Sequence, residues 1–66
     1  MAGRIKEMIN RIAEQRSQGI NAVRATTIIK ITLKGVNASQ YDETSPDDPE
    51  VIARLKTIAK ELGVTL

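Results

Sequence analysis

Cysteine, histidine, tryptophan and phenylalanine are all absent from this chain of 66 residues. Without cysteine there is no disulfide to staple a small fold and no thiolate for a structural zinc. Without histidine the usual general base and the commonest metal ligand are gone as well. Tyr41 is the single aromatic residue, so no row of rings exists for stacking on nucleic-acid bases. The core must be built from Ile, Leu, Val, Met and Ala. Long apolar runs are also missing, and nothing approaches the roughly 18 residues of a membrane span. The opening MAGRIKEM lacks the apolar segment of a signal peptide, and Ala2 in place of glycine excludes N-myristoylation. A soluble cytoplasmic protein is the expectation.

A chain this short makes one domain, residues 1–66, and buries only about 60% of its extended-chain surface. Small scaffolds of that kind are reinforced by disulfides, metals or oligomerisation. The first two are excluded by composition, so a homo-oligomer is expected. The net charge of +2 is unevenly placed, with +5 in residues 1–35 and −3 in residues 36–66. Such asymmetry steers a polyanion to the basic half or lets two chains meet head to tail.

Two helices are plain. Ile5, Met8, Ile9, Ile12 and Ala13 recur at helical spacing, which gathers them on one stripe of a helix at about 3–18. Glu7 and Arg11 are spaced as a favourable i, i+4 pair, and Arg16 near the end suits the helix dipole. Near the other end, Asp48 is an N-cap, Pro49 fits the first helical position and Glu50 faces the positive end of the dipole. Val51, Ile52, Leu55, Ile58, Ala59 and Leu62 then form one apolar stripe, predicting a helix at about 49–62 with Glu50 and Arg54 paired on its surface.

The middle stretch NAVRATTIIKITLKGVN, Asn21 to Asn37, reads two ways. Its β-branched residues alternate well enough for a strand over about 23–33. That alternative is an α+β fold in which a lone strand pairs across a homodimer, since the chain offers no second strand. Its punctuation favours a helix at about 22–34. Gly19-Ile20-Asn21, Gly35-Val36-Asn37 and Gly63-Val64-Thr65 share one pattern, a Schellman-type stop followed by a capping residue. Asn21 would cap this helix, and its isoleucines would bury it on more than one face. Asn37 and Gln40 have capping-box spacing, which predicts a short turn at about 38–42, with Tyr41 resting on the edge of the core. The fold class is therefore a small all-α three-helix bundle.

No enzyme chemistry stands out. The acids Asp42, Glu43, Asp47, Asp48 and Glu50 lack the order and the glycine of a calcium loop, and the start of the last helix already accounts for Asp48 and Glu50. The serines and threonines have no base to activate them. No cofactor and no metal is expected. Ser45-Pro46 could accept a phosphate beside the helix N-terminus, but a turn-forming Ser-Pro is the far better explanation.

Ile58-Ala59-Lys60-Glu61-Leu62-Gly63-Val64-Thr65 resembles the first helix and turn of bacterial helix-turn-helix DNA-binding domains, and Gly35-Val36-Asn37-Ala38-Ser39-Gln40 resembles the same turn again. The resemblance implies a following recognition helix in the major groove. After the first match the chain ends at Leu66; after the second, Tyr41-Asp42-Glu43 is acidic where phosphates would lie. The expected function is thus a small, non-enzymatic interaction or regulatory module that self-associates, with Ile28, Ile29, Ile31 and Leu33 as candidate contact residues. The alternative is a nucleic-acid-binding regulator using Arg11, Arg16, Arg24, Lys30 and Lys34. A protein partner is expected, nucleic acid is not favoured, and no membrane association is expected.

Overall fold

The computed structural model describes residues 2–66, arranged as three helices: α1 (Arg4–Ser17), α2 (Asn21–Leu33) and α3 (Pro49–Glu61), with a 3-10 turn at Ala38–Gln40. This is the all-α three-helix bundle, and residues 23–33 lie in a helix, not a strand. α1 is the element on which the other two rest; α2 and α3 each pack against it, with little contact between themselves. Ile5, Met8, Ile9, Ile12 and Ala13 of α1 are buried against Ile31 of α2 and Leu55, Ile58 and Ala59 of α3, with Val36 and Ala38 closing one side. Tyr41 packs at the edge of this cluster.

The threonines of this β-branched segment turn their hydroxyls onto their own helix. Thr26, Thr27 and Thr32 each donate the side-chain hydroxyl to the carbonyl four residues earlier, at 3.0, 2.8 and 3.1 Å. The back-bond satisfies each hydroxyl without strengthening the helix; packing of the Thr27–Ile31 face against α1 holds the segment helical.

The two later stop signals are built as expected. Val36 N–H donates to Ile31 O and Val64 N–H to Ala59 O, at 3.2 and 2.8 Å, the closing bond of a Schellman motif. Gly35 sits at φ 109°, a left-handed backbone conformation that requires glycine. Arg54 does not make the expected pair with Glu50.

The first stop differs. Gln18 and Gly19 both adopt left-handed backbone, φ 50° and 86°, and Ile20 N–H donates to Ser17 O. Two successive left-handed residues turn the chain at once into α2, so Asn21 is already helical. The N-cap is Ile20, and no side chain caps α2. The 3-10 turn is also shorter than 38–42: Asn37 caps it by accepting from Ser39 N–H and hydroxyl, with Ser39 in place of Gln40 as its partner.

The acidic connector fastens the ends of the helices. Asp48 Oδ1 accepts from Glu50 N–H at 3.0 Å, capping α3. Asp47 Oδ1 accepts from Arg4 N–H at 3.1 Å, so the first turn of α1 is capped from 43 residues away. Gly3 N–H donates to Ser45 O, and Ala2 forms an isolated antiparallel bridge with Pro46. Hydrogen bonds from Thr44 and Ser45 hold the Asp42 carboxyl below its ordinary value. At the other end of α1, the Gln15 amide bonds Thr65 N–H and carbonyl together, while Arg16 donates to Leu62 O. Asp48→Ala should lower stability by about 1 kcal/mol in a urea titration, the usual value of an N-cap. An unchanged midpoint would mean that the cap is not formed.

α2 departs most from expectation. It was expected to be buried on several faces, yet only Thr27 and Ile31 are buried, with Arg24 and Ile28 half-buried beside them. The reason is geometric. A helix packed on one neighbour buries one stripe, and α3 lies on α1 instead of crossing α2.

Candidate functional site

The buried residues of α2 define its orientation. Arg24, Thr27, Ile28 and Ile31 follow i, i+3, i+4, i+7 and face α1, and Arg24 fixes the contact by donating to Glu14 Oε1 and Asn10 Oδ1, both at 3.3 Å. The opposite side therefore carries Ala22, Ala25, Thr26, Ile29, Thr32 and Leu33, a second helical stripe, and all six are exposed. Ile29 is 58% and Leu33 80% exposed. The stripe contains no ionisable residue. Its two threonines have already given their hydroxyls to their own helix, so it is largely hydrocarbon.

The four apolar residues singled out in the sequence are thus divided. Ile29 and Leu33 lie on the open face, Ile28 is half-buried against the core, and Ile31 is fully enclosed within it. Ala22, Ala25, Thr26 and Thr32 were missed. Their signal was the recurrence of uncharged residues at helical spacing from position 22, which appears only once the orientation of the helix is set by Arg24.

Four of the five candidate nucleic-acid contacts are engaged within the chain. Arg11 pairs with Glu7 at 3.6 Å, Arg24 with Glu14 at 3.3 Å and Lys34 with Glu61 at 2.7 Å, while Arg16 binds the Leu62 carbonyl. The side chain of Lys30 alone of the five makes no hydrogen bond or ion pair with another described residue. A phosphate would have to compete with bonds already made inside the chain. The turn at Gly35 leads only into the three residues Ala38–Gln40, and Val64–Leu66 after α3 form no helix. Neither position resembling a helix-turn-helix supplies a recognition helix among the described residues.

A wide, open concavity runs along α1, lined by Lys6, Glu7, Asn10, Arg11, Glu14 and Gln15. It mixes charges of both signs in open solvent, which gives acid–base chemistry no dry site. Among the described residues no group of acids converges as a metal requires, every buried side-chain nitrogen and oxygen has a hydrogen-bond partner, and no helix is long and apolar enough to cross a membrane. No family model, curated protein or solved structure matches the chain.

Proposed function

We propose that this protein is a small, non-enzymatic interaction module that docks, and self-associates, through the outward face of α2. The observation that carries this reading is the uncharged stripe Ala22–Leu33, with Ile29 and Leu33 turned to solvent. Single exposed apolar residues are ordinary, but a contiguous face of them without a charge marks an interaction surface. Several charged groups elsewhere on the surface are engaged in caps and ion pairs, which supports the same reading. A cytoplasmic setting agrees with the cysteine-free composition.

The test is photo-crosslinking in the producing cell, with a photoreactive residue at position 29 and a control at the exposed position Thr57 on α3. Adducts are expected from position 29 and not from position 57. Equal yields from both, or none from position 29, would defeat the docking reading.

A further inference from the structure

We propose that the occupant of this face is a second copy of the chain, its α2 lying antiparallel to the first about a two-fold axis. This rests on the docking reading above and specifies the partner. A two-fold contact must be self-complementary, with residue i meeting j wherever j meets i. The stripe has that property in one direction only: its small residues, Ala22 and Ala25, lie in the first half, and its large ones, Ile29 and Leu33, in the second. An axis passing between Thr27 and Ile28 sets Leu33 over Ala22 of the second copy and Ile29 over Ala25 and Thr26. Large side chains then fill the space that small ones leave. A parallel pair would stack Leu33 on Leu33 and leave a void between the alanines.

Charge points the same way. Arg24 and Lys34, at the edges of α2, are neutralised inside their own chain by Glu14 and Glu61. Lys30 remains. In the antiparallel pair it lies along Val23 and Thr26 of the second copy, which carry no charge. Antiparallel helices also bring opposite dipole ends together. No hydroxyl is stranded by closure, because Thr26 and Thr32 are already bonded to their own backbone. An acidic partner helix would find only Lys30 to pair with.

A helix of 13 residues is about 20 Å long. One such helix from each copy covers less than the about 1,200 Å² at which stable interfaces begin. The dimer should therefore exchange with monomer as concentration changes.

Sedimentation equilibrium of the whole chain from low micromolar to millimolar concentration tests this. The average mass should rise from one chain towards two, and Leu33→Glu should abolish the rise while leaving the circular dichroism melt in place. Because the chain has no cysteine, Ala22→Cys and Leu33→Cys can be mixed with a short bis-maleimide. The mixed cross-link should exceed the Leu33→Cys homodimer severalfold. A wild type monomeric throughout, a dimer that survives Leu33→Glu, or a predominant Leu33→Cys homodimer would each overturn the proposal. A monomeric wild type whose position 29 still crosslinks to another protein would overturn self-pairing and leave the docking reading standing.

Discussion

Ile12→Ala should remove most of the stability of this protein, lowering the urea midpoint by about 2 M or more. Ile12 lies mid-way along α1 with no exposed surface, in the cluster that α1 shares with α2 and α3. Truncating a buried isoleucine to alanine costs about 2–5 kcal/mol, from lost transfer energy and the cavity left behind. A domain of this length has only about 3–10 kcal/mol to lose, and the denaturant slope for so small a chain is about 1 kcal/mol per molar urea. No aromatic ring stands by to slide into the space, since Tyr41 rests at the edge of the cluster. A loss below about 1 kcal/mol would show that Ile12 is not enclosed, because surface substitutions stay within about 0.5 kcal/mol.

The second large effect is a contrast between two positions on one helix. Ile31→Ala should cost about 2–5 kcal/mol, because Ile31 is fully enclosed. Ile29→Ala should be neutral or slightly stabilising when measured on dilute monomer. Ile29 is 58% exposed, and alanine is the better helix former by a few tenths of a kcal/mol. Thermal melts of both variants by far-UV circular dichroism make the comparison. Equal losses would mean that α2 is rotated about its axis from the orientation described, and the uncharged stripe would no longer be its outward face.

Much of this architecture was legible in the residues, where one local cause acted alone. Asp48-Pro49-Glu50 starts α3 because cap, ring and dipole all favour the same residue as its beginning. Gly35-Val36 and Gly63-Val64 stop their helices because a left-handed glycine followed by an apolar residue satisfies the last carbonyls. Gly19-Ile20 has the same letters but a different bond pattern, since Gln18 also turns left-handed and the chain enters α2 without a cap. α2 was the hard case because isoleucine occurs on both of its sides. Ile31 serves the core and Ile29 faces solvent, and nothing in either residue says which. The deciding side chain is Arg24, whose contacts with Asn10 and Glu14 exist only once α1 and α2 are side by side. The roles of Asp47 and Gln15 were out of reach for a similar reason, as their partners lie 43 and 50 residues away.

Those distant bonds bear on how the chain is made. Synthesis runs from α1 towards α3, so α1 and α2 leave the ribosome first, joined by the tight turn at Gln18-Gly19. At that stage the first turn of α1 has no Asp47, Gln15 and Arg16 have no Thr65 or Leu62, and the side of α1 that α3 will cover is open to water. The nascent hairpin therefore leaves apolar side chains of α1 uncovered, and these bonds form only when the segment through Thr65 has cleared the exit tunnel.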